Sequence, residues 1–122
     1  MLKQEDFCTE KTIAALCSVG YQRTESHVSL YEAQKFLRDE KYMLVEPLLT
    51  TYLNHGYRPP TKYRIRLCTI GDAIYHAPLI GFLRDDNGNE YVFDKYEDAL
   101  QYGIESATRT ILALQDAITK EI

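Results

Sequence analysis

Long hydrophobic runs are missing from this sequence. Nowhere do roughly 18 apolar residues follow one another, the length a helix needs to cross a bilayer, so no membrane partner is expected. The opening Met1-Leu2-Lys3-Gln4-Glu5-Asp6 is too polar and acidic for a signal peptide, and a cytoplasmic, intracellular setting is expected. Cysteine is scarce: Cys8, Cys17 and Cys68 make an odd number at unrelated spacings, which fits buried thiols in a reducing compartment better than a disulfide framework.

The metal-binding patterns Cys-x-x-Cys and His-x-x-x-His are both missing, and His27, His55 and His76 are scattered, so no metal and no cofactor are expected. Glycine is too thinly spread for a phosphate-cradling loop, a Gly-x-Ser-x-Gly elbow or a dinucleotide fingerprint. Cys17, placed on an apolar helix face, and Cys68, placed in a strand, read as packed side chains rather than nucleophiles. Asp85, Asp86 and Glu90 gather at a hairpin tip, where solvation and turn formation account for them. These absences point to a non-enzymatic protein.

Acidic residues are missing from one long stretch. Between Pro47 and Gly71 there is none, while Arg58, Lys62, Arg64 and Arg66 supply four positive charges. The whole chain carries −4, so the remainder holds −8 once that +4 is set aside. Tryptophan is absent too, against ten tyrosines, of which Tyr52, Tyr57, Tyr63 and Tyr75 bracket the basic stretch. Aromatic rings between arginines suit strand packing, a protein interface or stacked nucleobases.

What is present is an ordinary single domain, 122 residues with 45% hydrophobic and 26% charged content, enough for one continuous core. Over 9–19, Thr9 can cap a short helix with Ile13, Leu16 and Cys17 on one face, and Gly20 is placed to end it, with Tyr21 packing back. Over 29–40, Ser29 and Glu32 form a capping box before the apolar face Leu30, Ala33, Phe36 and Leu37. The segment 42–53 reads as a strand rather than a helix, Pro47 being tolerated at a sheet edge.

Segment 62–70 alternates strictly, with Tyr63, Ile65, Leu67 and Thr69 on one face and Arg64, Arg66, Cys68 and Ile70 on the other. Asn87-Gly88 between 79–84 and 90–93 predicts a hairpin in which Phe82 faces Phe93 and Leu83 faces Val92. From Asp94, a capping residue with Glu97 three places on, a helix is predicted over 94–120. Its stripe is Tyr96, Leu100, Gly103, Ala107, Ile111, Leu114, Ile118 and Ile122. The expected fold is α+β: two N-terminal helices, an antiparallel meander of three or four strands, and a long C-terminal helix laid on one sheet face.

The helix Thr12-Ile13-Ala14-Ala15-Leu16 leading to Gly20-Tyr21, the helix from Ser29 to Asp39, and the ending Tyr96-Glu97-Asp98-Ala99-Leu100 through Gly103-Ile104 follow a familiar order. In that order the chain resembles a loose group of small proteins from phage and mobile-element genes of anaerobic gut bacteria. It departs from them in Phe36, where tryptophan is expected, and in a longer connection through Gly71 to Pro78. The resemblance implies the fold and a phage or mobile-element origin, and no function. The order helix, meander, helix also resembles the double-stranded RNA-binding domain. There a basic cluster opens the last helix and contacts phosphates, whereas here Asp94-Lys95-Tyr96-Glu97-Asp98 is net negative.

The expected function is therefore binding, to another protein or to a second copy of the chain. The candidate surface is the sheet face and loop bearing Tyr57, Arg58, Lys62, Arg64 and Arg66. The rival is weak nucleic-acid binding through the same residues. The two part company on which sheet face the long helix covers.

Overall fold

The computed structural model of the chain describes residues 3–50, 62–70 and 80–120. A 3-10 turn at Gln4–Asp6 leads into α1 (Glu10–Ser18) and α2 (Leu30–Lys41). Strands β1 (Met43–Thr50), β2 (Lys62–Thr69), β3 (Ile80–Phe82) and β4 (Val92–Phe93) follow, then α3 (Tyr96–Lys120). The expected α+β architecture is observed, with α3 packed on β1 and β2, and α2 on β1 and α3. Residues 51–53 and 79, read above as strand ends, lie outside the described residues.

Local chemistry sets the helix ends. Thr9 caps α1 by accepting from Thr12 N at 3.2 Å, and Ser29 caps α2 by accepting from Glu32 N at 3.0 Å. At the C-terminus of α1, Gly20 (φ +102°) takes the left-handed conformation. Gly20 N then reaches Cys17 O and Tyr21 N reaches Leu16 O, a Schellman close. Tyr21 thus lands edge-on against Phe36 of α2, with ring centroids 5.1 Å apart.

Cys17, expected on the packed face of α1, is exposed. At about 100° per residue the buried face centres on Thr12, Leu16 and Val19, and Cys17 falls to its side. Thr12 is drawn inward because its hydroxyl donates to Glu105 Oε1 at 2.8 Å, tying α1 to α3. Cys8 is half-buried, and burial, reinforced by Glu32, pushes its thiol up to about 12.

In the sheet, β1 pairs with β2 antiparallel, Val45 facing Leu67 and Pro47 facing Ile65. Ile70 N donates to Tyr42 O at 2.8 Å, so by the antiparallel alternation residues 44, 46 and 48 bond to β2 while 43, 45, 47 and 49 turn to the free edge. Pro47 sits where its missing N–H would have pointed away from β2. On the same edge Val45 O accepts from Gln34 Nε2 at 2.7 Å.

The hairpin differs from expectation. β3 and β4 do not face each other: Phe82 pairs with Arg66 and Phe93 with Tyr63, both on the same edge of β2. Between them a small hairpin stands off, closed by the Arg84↔Glu90 bridge. Gly88 N donates to Asp85 O and Gly88 has φ +84°, so the loop is Asp86-Asn87-Gly88 rather than Asn87-Gly88. This is a type I turn with a glycine bulge. Asp85 selects it, since its carboxylate accepts from Asn87 N at 2.9 Å and Asn89 N at 3.0 Å.

α3 starts two residues later than expected, at Tyr96, and Ala99 N donates to Lys95 O. Asp94 is drawn off instead into an ion pair with Lys62. Leu100, Gly103, Ala107 and Ile111 are buried, as the stripe requires. Tyr96 remains 41% exposed, and Leu112, about 100° off the stripe, is exposed while Leu114 packs against the core.

Candidate binding face

Strand β2 carries both faces of the sheet. Ile65, Leu67 and Thr69 are buried beneath the helices, which leaves Arg64, Arg66 and Cys68 on the other side. Among the described residues no helix packs on that second face. The long helix does not claim the arginines, whose side chains are 28% and 37% exposed.

They do not form the bare basic patch that the sequence suggests. Register places Glu46 opposite Arg66, and Arg66 Nη2 sits 3.0 Å from Glu46 Oε1 with its Nε at 3.3 Å. Arg64 Nη1 reaches both oxygens of Glu90, at 3.2 and 3.4 Å. Arg84 Nη2 approaches the same carboxylate at 3.2 Å. Lys62 pairs with Asp94. The four cations Lys62, Arg64, Arg66 and Arg84 thus meet three carboxylates, Glu46, Glu90 and Asp94.

Apolar side chains fill the ground between them. Leu44, Leu48 and Phe82 are half-buried on this face and Val92 is 47% exposed. The Arg64 guanidinium lies 3.9 Å from the centre of the Phe82 ring, a cation–π stack that fixes its plane. Arg64 Nε is buried without a hydrogen-bond partner among the described residues.

Of the five residues singled out by sequence, Lys62, Arg64 and Arg66 are brought together along β2. Tyr57 and Arg58 lie outside the described residues. Sequence reasoning missed Glu46, Glu90, Arg84 and Phe82. Glu46 stands one residue before the acid-free stretch and is folded back onto it by the β1–β2 pairing. Glu90, read above as turn solvation, is instead the shared counter-charge of two arginines.

Elsewhere, two depressions of about 540 and 500 Å³ flank the 3-10 turn and the N-terminal turns of α2 and α3, and neither is lined by a histidine or cysteine. Among the described residues no group of three or more His, Cys, Asp and Glu could hold a metal ion, and no helix is long and apolar enough to cross a membrane. The architecture is that of an α+β domain with its helices on one face of an antiparallel sheet. Comparison with protein-family models, curated proteins and solved structures gives no match for the chain.

Proposed function

We propose that this domain is a non-enzymatic binding module whose outer sheet face engages another protein or a second copy of the chain. The observation that carries the reading is the near balance of that face: among the described residues its four cations meet three carboxylates, Glu46, Glu90 and Asp94, over the half-buried Leu44, Leu48 and Phe82. Nearly compensated charge on apolar ground favours a protein surface, where desolvated side chains supply the energy and ion pairs fix the register. Nucleic acid demands cations left free to release counterions from phosphates. The phage or mobile-element origin implied by the helix motifs belongs to the same proposal.

The test is a titration with labelled duplex RNA, duplex DNA and single strands at low and near-physiological salt. Wild-type protein is compared with the Arg64→Ala/Arg66→Ala double variant. The reading expects no binding. Salt-sensitive binding that the double variant loses would replace it with the nucleic-acid reading.

A further inference from the structure

On the helix-bearing side of the domain, apart from the arginine face, a groove of about 500 Å³ runs between the 3-10 turn and the first turns of α2 and α3. That volume falls within the roughly 300–1,000 Å³ of ligand clefts. Its floor is apolar: Leu30 and Leu100 are 3% and 4% exposed. Its walls include Tyr31, 66% exposed, and Tyr96, 41% exposed. Tyr96 is not a loose ring, because Tyr63 holds it edge-on at 5.8 Å and 84°.

Two carboxylates from different elements, Asp6 and Glu97, join Ser29 and Gln34 as the polar part of the lining. Neither is in an ion pair among the described residues, and the Asp6 carboxylate accepts only the nearby Lys3 N–H. The adjoining depression shares Glu97 and adds Asp98 and Glu5, the last paired with Lys95 at 3.5 Å, and among the described residues Lys3 is the one cation in its lining. Glu97 and Asp98 also suit the first turn of α3, but a helix start needs neither a carboxylate from another element nor exposed aromatic walls.

Exposed tyrosine rings over an apolar floor, with Asp6 and Glu97 in the lining and in no ion pair among the described residues, are complementary to one kind of group, a flat cation on an apolar stem. We infer that this groove takes the arginine side chain of a basic peptide segment on a partner protein. The guanidinium stacks on a tyrosine ring and donates to Glu97 or Asp6, while its methylenes lie over Leu30 and Leu100. Arginine fits better than lysine because a planar fork can stack and pair with a carboxylate at once. This inference does not depend on the arginine face.

The experiment is an NMR titration of the full chain with acetyl-Gly-Arg-Gly-amide, beside its citrulline and lysine counterparts. The arginine peptide is expected to give saturable amide shifts over Ser29–Gln34 and Tyr96–Leu100, and the neutral citrulline peptide none. Tyr31→Ala, at a site 66% exposed where the fold is expected to survive the change, and Glu97→Gln are each expected to weaken binding about threefold or more. Absence of saturation, equal shifts from citrulline, or binding indifferent to both variants overturns the site. A lysine peptide that binds as well as arginine overturns the assignment to a guanidinium.

Discussion

A Cβ placed on Gly103 would lie 2.6 Å from Val45 Cγ1 and 2.9 Å from Ile65 Cγ2. Both neighbours are β-branched and buried, so neither can swing aside. The missing side chain is what lets α3 lie directly on β1 and β2. Gly103→Ala gains about 1 kcal/mol of helix propensity but forces overpacking that costs about 1–3 kcal/mol. A net loss of stability is expected in urea unfolding, and a gain would show that the helix does not cross the sheet there. Tyr42 poses the opposite case. It closes α2 with φ 54°, a left-handed conformation unusual for a bulky residue, while the residue is 39% exposed. Tyr42→Gly is expected to raise stability by about 0.5–1 kcal/mol, read by the same unfolding experiment.

At the scale of the element, the segment after α1 is held by Arg23, whose Nη1 and Nη2 donate to Glu10 at 2.8 and 2.9 Å. That hydrogen bond holds the Glu10 carboxyl below its usual 4.5. A lowered folded value means that the contribution is full above the unfolded value and is lost as pH falls through the folded one. Glu10→Gln is therefore expected to be less stable than wild type at neutral pH, with the difference closing below about pH 4 in thermal melts at stepped pH. In the hairpin, Asp85→Ala removes the acceptor for two backbone N–H groups, and faster hydrogen exchange is expected at Asn87 and Asn89.

Much of this level was legible. Thr9, Gly20 and Ser29 act within a few residues of themselves, so capping chemistry placed α1 and α2 closely. The strict alternation of β2 separated its two faces, but which of them the helices cover was left open, because that depends on how α3 crosses the sheet. The hairpin register was not legible, because Asn87-Gly88 suits two loops that differ by one residue and the Asp85 side chain chose between them. Nor were the counter-charges of the arginines, since Glu46 and Glu90 meet Arg66 and Arg64 across sequence separations of 20 and 26 residues. A gap in acidic residues along the chain is not a gap in space once strands pair.

For the whole molecule, the helices and the two long strands share a single cluster, from Leu16 on α1 through Leu37, Val45 and Ile65 to Ile111 on α3. Thermal unfolding is therefore expected as one transition, coincident by far-UV and near-UV circular dichroism. The ends of the chain close that cluster together: Thr12 meets Glu105 across 93 residues and Thr9 meets Gln101 across 92. A chain stopped after Phe93 is expected to show no cooperative transition, because Val45 and Ile65 then lack their cover. Synthesis runs in that same direction. While the nascent protein is extended only as far as Phe93, its strands exist without the element that shields them, so folding on the ribosome must wait for the last helix to emerge.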